Sequence, residues 1–270
     1  MKVCIMGLGE VGFPTAIYNQ QKGLTVFGYD IDDNKAMIAK FKGLSNATSE
    51  WRDIPHDEID VYVICVPTFS VIDAVKNIPK DTTALITIES TVVPGTCRKI
   101  AEKYRYVAHC PHRYWKRDPN RRGVKQLRVF AASNSEAKTF GIDYYVNILD
   151  IPVHVASSLE VAELSKLVEN AWRYVSIAFS EEIRMLCESR FGVKFEELRW
   201  AINTKYAPDW CAKLLEARDG IGGHCLPKDT AILSCFSIDD GILKAAMKVD
   251  KKYRKWLKNT SSDATMIKHG

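Results

Sequence analysis

Apolar and polar positions follow two different patterns along the 270-residue chain. From Lys2 to about Val155, short apolar runs alternate with longer segments of helical spacing, as in a parallel sheet covered on both faces. The predicted strands are residues 3–6, 25–30, 61–66, 84–88, 106–109 and 128–131, and the predicted crossover helices are residues 11–21, 34–41 and 96–104. This part of the chain therefore predicts an α/β fold with a doubly wound parallel sheet.

The pattern changes after about Ala156. Residues 159–190 contain neither Gly nor Pro and repeat apolar residues at helical spacing, which predicts one long helix. Ser157, followed three residues later by Glu160, predicts a capping box at its start. We therefore expect two domains, with the sheet in residues 1–156 and a mainly helical domain in residues 157–270.

Composition limits the class of protein. With 46% hydrophobic and 26% charged residues, the chain can form two ordinary packed cores. Its apolar runs are much shorter than the roughly 20 residues that span a bilayer, and it begins without a signal-peptide pattern. We therefore expect a cytoplasmic protein without a membrane partner.

Cysteine spacing and charge exclude two further classes. The eight cysteines show no C-x-x-C spacing, which argues against a zinc site and a disulfide framework (Cys4, Cys65, Cys97, Cys110, Cys187, Cys211, Cys225 and Cys235). The net charge is +5, with much of the excess in residues 244–258. We interpret that segment as the solvated face of an amphipathic helix rather than as a nucleic-acid site.

A glycine motif follows the first predicted strand. Gly7, Gly9 and Gly12 have the spacing at which glycines allow a tight turn, a close approach of the backbone to a pyrophosphate, and packing of a helix on a strand. The second strand ends at Asp30, where a carboxylate meets the adenosine ribose of a dinucleotide and repels a 2′-phosphate. The alternative is that the glycines serve only packing. The motif favours a Rossmann-like domain that binds NAD rather than NADP.

A second glycine-rich segment, GIGGHCLPKD at residues 220–229, surrounds Cys225. Gly222 and Gly223 on one side and Pro227 on the other predict a shaped loop in which backbone amides approach a ligand beside a thiol. A thiol in such a loop needs a cationic neighbour to act as a nucleophile. A buried, unreactive thiol is an equally acceptable interpretation.

Lys166 and Asn170 are four residues apart on the predicted long helix and therefore share a face. An ammonium and a carboxamide side by side can stabilise a developing alkoxide or a thiohemiacetal oxyanion. Taken alone, Lys166 is more simply a surface charge. Its combination with the dinucleotide motif and Cys225 favours a catalytic role.

Several motifs in order resemble the UDP-glucose/GDP-mannose dehydrogenases, a family that includes UDP-N-acetylmannosamine dehydrogenases. They are GLGEVGFPTA near the start, CVPT at residues 65–68, ESTVVPGT at 89–96, AELSKLVENAWR at 162–173, NTK at 203–205 and GIGGHCLPKD. The resemblance covers nearly the whole chain. It implies an NAD-dependent enzyme that oxidises the primary alcohol of a nucleotide sugar to a uronate. It also implies a homodimer in which the helical domain is the catalytic and dimerisation domain.

The resemblance also assigns roles to individual residues. Cys225 would be the nucleophile, Lys166 and Asn170 would stabilise the oxyanion, and Asp229 would support water or proton transfer. Thr91 would lie beside the nicotinamide and the catalytic water. The implied cofactor contacts are Gly7, Gly9, Glu10, Val11, Gly12, Asp30, Lys35, Val66, Pro67, Thr68, Ser90 and Thr91, and the implied substrate contacts are Lys166, Asn170, Gly222 and Gly223.

The chain departs from the family pattern at several places. His112 stands where the family has a glutamate implicated in hydrolysis, so the imidazole either replaces that base or marks a changed or lost activity. The residues before GIGG are altered as well, to Glu216-Ala217-Arg218-Asp219. The C-terminal nucleotide-binding domain of the family is missing from the sequence, and three explanations stay open: the chain is naturally short, it is cut, or a separate chain supplies that domain. The identity of the sugar stays open.

Two other functions remain possible from the sequence. One is a two-electron β-hydroxyacid dehydrogenase, since those enzymes also carry a Lys-x-x-x-Asn pair on the long helix but need no thiol. The other is a non-catalytic NAD-binding protein that regulates or completes a partner. Dependence of turnover on Cys225 separates the first possibility from the proposed reaction.

Overall fold

The structure is a computed structural model that describes residues 1–120, 123–204, 215–236 and 241–266, with side chains up to residue 260. Lys205 of the NTK motif and Cys211 lie outside the described residues. The chain divides into two compact units, Met1–Lys166 and Leu167–Gly270. The division falls within the long helix, whereas the boundary expected from the sequence is the start of that helix. The functions of the two units as domains stay predictions.

In its described residues, the first unit is built on a sheet of eight strands, confirming the α/β class. The strands are β1 (Lys2–Met6), β2 (Thr25–Tyr29), β3 (Ala47–Thr48), β4 (Val61–Ile64), β5 (Leu85–Ile88), β6 (Val107–His109), β7 (Arg128–Ala132) and β8 (Val153–Val155). Their order across the sheet is β3-β2-β1-β4-β5-β6-β7-β8. The order reverses between β1 and β4, which is where ligands bind in doubly wound sheets.

The helices of the first unit are α1 (Gly12–Gln21), α2 (Asp33–Phe41), α3 (Val71–Val75), α4 (Thr96–Ala101) and α5 (Ser135–Ile142), with a π-helical turn at Asp143–Ile148. Cores lie on both faces of the sheet because successive residues of a buried strand point in opposite directions. In β1, Val3 and Ile5 belong to one core cluster, whereas Cys4 and Met6 belong to the other.

Three features of the sheet differ from the sequence prediction. β3 and β8 were not predicted, because two or three residues carry too little periodicity to identify a strand. β7 pairs antiparallel with β6, whereas the prediction was a parallel sheet throughout. Pairing direction depends on how the chain returns to the sheet, and the strand sequence alone does not encode that return.

The long helix, α6 (Leu159–Arg190), confirms the prediction of one uninterrupted helix and begins in the first unit. The predicted capping residue is wrong by one position. The Ser158 hydroxyl, rather than that of Ser157, accepts a hydrogen bond from the Val161 amide at 3.3 Å. Glu160 forms an ion pair with Arg98. The helix therefore lacks the predicted box, although it has a serine cap.

The second unit contains the rest of α6 with α7 (Phe195–Asn203), α8 (Cys225–Ser234) and α9 (Ile242–Met266). Gly192, with φ +65°, provides the left-handed residue that ends α6. Two core clusters pack α6 against α9, one around Tyr253 and Cys187 and the other around Tyr174 and Ile221. None of the helices in the described residues has the length and apolar content needed to cross a membrane.

Candidate functional site

The glycine loop connects β1 to α1 at the carboxyl edge of the sheet. Gly7 has φ +92°, and a Cβ atom built on it would lie 2.6 Å from the Cys65 carbonyl oxygen. A Cβ atom on Gly12 would lie 1.7 Å from the Gly7 carbonyl oxygen, while one on Gly9 would meet open space. Gly7 and Gly12 are therefore required by backbone contacts. Gly9 leaves free the place where a ligand can approach the backbone.

Asp30 lies directly after β2, as expected, and its side chain is buried. Its Oδ2 atom accepts a hydrogen bond from the Leu8 amide at 2.8 Å, and its Oδ1 atom accepts one from the Asp32 amide at 3.0 Å. The Lys35 ammonium lies 3.8 Å from Oδ2. These contacts hold the carboxylate beside the glycine loop with a lone pair on each oxygen still available.

The other expected cofactor residues lie at the same edge of the sheet. Val66, Pro67 and Thr68 follow β4, while Ser90 and Thr91 follow β5. The Ser90 hydroxyl donates to the Val66 carbonyl oxygen at 2.7 Å, which joins the two segments. Because β4 adjoins β1, both segments flank the point where the strand order reverses.

A cleft of about 300 Å³ opens beside the glycine loop and is lined in part by Gly9, Glu10 and Lys35. Glu10 is exposed and forms an ion pair with Lys116, another residue of the cleft wall. Val11, half-buried, precedes α1. The structure thus brings the expected cofactor residues of the first unit together around one edge of the sheet.

Behind this edge lies a buried polar cluster that the sequence did not suggest. Arg128 on β7 is fully buried, and its Nη1 atom lies 2.9 Å from Glu89 Oε1. The Tyr145 hydroxyl donates to the same carboxylate oxygen at 2.9 Å. Thr87 lies 2.8 Å from the Tyr145 hydroxyl. An ion pair removed from water in this way needs each of its partners.

His112 belongs to this cluster. Its Nε2 atom lies 2.9 Å from Arg128 Nη2, 3.1 Å from Thr15 Oγ1 and 3.3 Å from Glu89 Oε2. The Tyr114 amide donates to Nδ1 at 3.1 Å. Burial, reinforced by the positive charges of Arg128 and Lys166, lowers the pKa of His112 well below its ordinary value. The imidazole is therefore neutral at physiological pH and a weak base.

Glu163, in the second turn of α6, connects that helix to the loop after β5. The side chain is fully buried, and its two oxygens accept hydrogen bonds from the Gly95 amide at 2.7 Å and the Cys97 amide at 2.8 Å. These are unpaired amides at the start of α4, so the carboxylate caps that helix. Lys166, one helical turn farther along α6, is half-buried and close enough to His112 to affect its pKa.

Cys225 is exposed and is the first residue of α8, in the second unit. Gly223, with φ +82°, lies two residues before it. A Cβ atom added to Gly222 or Gly223 would have no neighbour within 4 Å among the described residues, so the loop leaves room beside the thiol. The structure thus favours an accessible thiol over the alternative of a buried one.

Asn170 and Asp229 lie together, although they are 59 positions apart. The Asn170 amide nitrogen donates to Asp229 Oδ2, and the Lys228 ammonium pairs with Oδ1. Asp229 is almost completely buried. Of the four residues predicted from the second half of the sequence, Asn170, Cys225 and Asp229 thus belong to one unit, and Lys166 is the last residue of the other.

The loop that precedes Cys225 is held by α9. Asp250 Oδ1 accepts a hydrogen bond from the Ile221 amide at 2.8 Å, and Arg254 Nη2 donates to the Ile221 carbonyl oxygen at 2.7 Å. The sequence analysis missed these residues and also Glu89, Arg128 and Glu163. A possible signal was the burial of single charges inside apolar segments, but sequence alone does not show which partner each charge meets.

Comparison with known proteins supports a family assignment. Residues 160–252 match the model of the UDP-glucose/GDP-mannose dehydrogenase family, central domain. A UDP-N-acetyl-D-mannosamine dehydrogenase from Methanococcus vannielii is 28% identical over 261 residues, covering 84% of this chain. The matched region spans 60% of that relative's length.

Solved structures extend the comparison. The structure of a UDP-D-ManNAc dehydrogenase from Pyrococcus horikoshii has a TM-score of 0.84 and 26% identity, covering 98% of this chain and 71% of its own. A 3-hydroxyisobutyrate dehydrogenase from Mycobacterium tuberculosis shares the fold alone, with a TM-score of 0.71 and 15% identity over 93% of each chain. The sequence matches, the ordered motifs and the fold agree, and all three show that this chain is similar to the UDP-glucose/GDP-mannose dehydrogenase family.

Proposed function

We propose that the chain forms the cofactor-binding and thiol-bearing parts of an NAD-dependent nucleotide-sugar dehydrogenase, which oxidises a primary alcohol of the sugar to a carboxylate. The observation that carries this proposal is Cys225, an accessible thiol at the first residue of a ten-residue helix, directly after a glycine loop. Helix N-termini stabilise negative charge, and this position suits a sulfur that must attack as an anion.

The residues of the first unit fit a dinucleotide. Gly9 leaves the backbone open beside the amides at the start of α1, which suit a pyrophosphate. The Asp30 carboxylate retains acceptor capacity for a ribose hydroxyl and disfavours a 2′-phosphate. When bound, NAD supplies the hydride acceptor for both oxidation steps.

The thiol divides a four-electron oxidation into two hydride transfers. The alcohol carbon first loses a hydride and the hydroxyl a proton, which gives an aldehyde. The Cys225 sulfur then bonds to the aldehyde carbon, and the oxygen takes a proton to form a thiohemiacetal. Loss of a second hydride and a proton gives a thioester, whose C–S bond water breaks to release the carboxylate and the free thiol.

Nearby polar groups suit the charge that develops in these steps. The Asn170 carboxamide is held by Asp229 on the turn after the thiol, so its donors are oriented before the substrate binds. Asp229, with Lys228 on its other oxygen, is the group for moving protons or orienting water. Lys166 is the proposed second oxyanion donor, because it lies one helical turn before Asn170 on α6.

His112 fits a positioning role better than that of the hydrolytic base. Its pKa is lowered by burial, and Arg128, Thr15 and Glu89 surround its Nε2 atom. We propose that the neutral ring maintains the packing of α1 against the carboxyl edge. Water activation in the hydrolytic step would then depend on other groups, of which Asp229 is the candidate.

The decisive experiment compares the full chain with Cys225→Ala, using a panel of UDP- and GDP-sugars and any partner chain that completes the substrate site. We expect two NADH per uronate from the unchanged chain and no uronate from Cys225→Ala, with NAD affinity and circular dichroism preserved. Cys235→Ala is the matched control, because Cys235 is also exposed but ends α8. One NADH per product with rates independent of Cys225 would contradict the proposal.

That last outcome would favour a two-electron hydroxyacid dehydrogenase. The specific observation behind this second candidate is the fold shared with the Mycobacterium tuberculosis enzyme over 93% of both chains. Absence of any NAD reduction, despite NAD binding, would instead favour a non-catalytic partner protein.

A further inference from the structure

Glu181 is a buried acid that the proposed reaction does not use. It lies within α6, its side chain is fully buried, and neither carboxylate oxygen accepts a hydrogen bond from a donor among the described residues. Burying an ionised carboxylate without a partner is very costly, so such a group either binds a proton or forces its surroundings to move. Glu181 therefore requires an explanation.

Asp250, the acid that holds the thiol loop, is close enough to Glu181 for its charge to raise the pKa of Glu181. Asp250 accepts from the Ile221 amide, from Arg254 Nε at 3.0 and 3.2 Å, and from the Tyr174 hydroxyl at 3.4 Å. Arg254 also donates to the Ile221 carbonyl oxygen, so both backbone polar groups of Ile221 are held from α9. Position 220 requires a glycine beside the guanidinium, because a Cβ atom on Gly220 would lie only 2.6 Å from Arg254 Cζ.

We propose that Glu181 is a proton-dependent positioning residue for the loop before Cys225: it carries a proton beside the Asp250 charge, and loss of that proton weakens the hydrogen bond that Asp250 accepts from the Ile221 amide. The protonated carboxyl adds no charge beside Asp250. The ionised form places a second negative charge against it, and like charges in a buried site repel strongly. Relief of that repulsion separates α6 from Asp250 and loosens the peptide at Ile221. The part of this proposal that concerns the thiol rests on the proposed function.

The direction in which the pKa of Glu181 shifts agrees with this geometry. Burial, reinforced by the Asp250 charge and opposed by Arg254, raises the pKa of Glu181 from 4.5 to about 8. The other titratable groups that face it are Tyr174 and Tyr253, whose own pKa values the Glu181 charge helps to raise. Glu181 thus binds a proton in the folded chain that it lacks in the unfolded chain between about pH 4.5 and 8. Glu181 therefore lowers the free energy of unfolding as pH rises through that window.

The test measures hydrogen exchange at the Ile221 amide in the full chain from pH 6 to 9.5, expressed as a protection factor that removes the intrinsic effect of pH. In the unchanged chain we expect protection to fall by about tenfold or more with a midpoint near 8, the value at which Glu181 loses its proton. Glu181→Gln keeps the shape of the protonated acid, and its protection factor should stay constant. Glu182→Gln, an exposed neighbour on the same helix, is the matched control and should retain the fall.

A constant protection factor in the unchanged chain, or the same fall in Glu181→Gln, would overturn the proposal. If Glu181→Gln does not fold, carbon-detected NMR measures the pKa of the Glu181 carboxyl in the unchanged chain instead. A pKa near 4.5, the ordinary value, would also overturn the proposal. Neither measurement requires turnover. If the chain shows no dehydrogenase reaction but the protection factor of the Ile221 amide depends on pH, the proposed function is rejected and the proposed role of Glu181 in the loop is retained.

Discussion

At the scale of single residues, Asp30 has a structural role beside its proposed role in cofactor recognition. Two backbone amides fix its carboxylate, and Lys35 lies 3.8 Å away, so a ligand meets an oriented group rather than a mobile one. An oriented acceptor loses little entropy on binding, which is why such groups discriminate well between hydroxyl and phosphate.

Cofactor preference is the first prediction at this scale. We expect the chain to bind NAD much more tightly than NADP, and Asp30→Ala to narrow the difference by weakening NAD and relieving repulsion of the 2′-phosphate. Lys35 remains in that variant as a cation for the phosphate. Isothermal titration calorimetry with both cofactors measures the two affinities. Equal affinities in the unchanged chain would refute the role of Asp30.

The pairing of Glu89 with Arg128 gives a second prediction for single residues. Arg128→Met leaves the Glu89 carboxylate buried without its cation, and we expect a loss of about 3–5 kcal/mol in the free energy of unfolding in urea. Lys125→Met, which removes an exposed ion pair with Asp150, is the control and should change little. A small effect of Arg128→Met would mean that solvent reaches the cluster.

At the scale of elements, Glu163 shows how one side chain joins a helix to a loop. Glu163, in the second turn of α6, lies against the start of α4, and its carboxylate caps amides that α4 itself cannot satisfy. The capped segment begins four residues after Thr91, the proposed cofactor and water contact. The position of that loop thus depends on α6.

Glu163→Gln tests this connection. A carboxamide keeps one acceptor oxygen but loses the charge and the second acceptor, so we expect a cost of about 1–2 kcal/mol in chemical denaturation. Glu160→Gln is the control on the same helix, because Glu160 makes its ion pair near the surface. If the two variants are equally stable, the capping bonds of Glu163 contribute nothing measurable.

At the scale of the whole molecule, α6 exposes an apolar stripe. Val168, Trp172, Phe179 and Leu186 are exposed, and their spacings of four, seven and seven residues place them on one helical face. Exposed apolar patches of this kind mark association surfaces in soluble proteins. The stripe supports the expectation of a homodimer built on the long helix.

We therefore expect a dimer of the full chain by multi-angle light scattering at micromolar concentration, and a monomer for Phe179→Glu. Phe41→Glu is the matched control, since Phe41 is a highly exposed aromatic residue on α2 of the other unit. A monomer in the unchanged chain, or dissociation by both variants alike, would count against the stripe as the interface.

The sequence by itself determined the features that depend on neighbours in the chain. The glycine spacing with Asp30 located the dinucleotide motif, and an unbroken helical period located α6, because turns and helices arise from residues a few positions apart. The same locality explains why GIGGHCLPKD predicted a shaped glycine loop beside Cys225, whereas the sequence left the exposure of the thiol open.

Only the tertiary structure decided what distant residues do to one another. Arg128 gives no local sign that it meets Glu89 and His112, and Glu181 gives none that Asp250 lies against it 69 positions later in the sequence. Likewise, β7 is predictable as a strand, but its antiparallel direction is not. Burial and charge pairing depend on which surfaces come together in the folded chain, and that information is spread over contacts that no short segment contains.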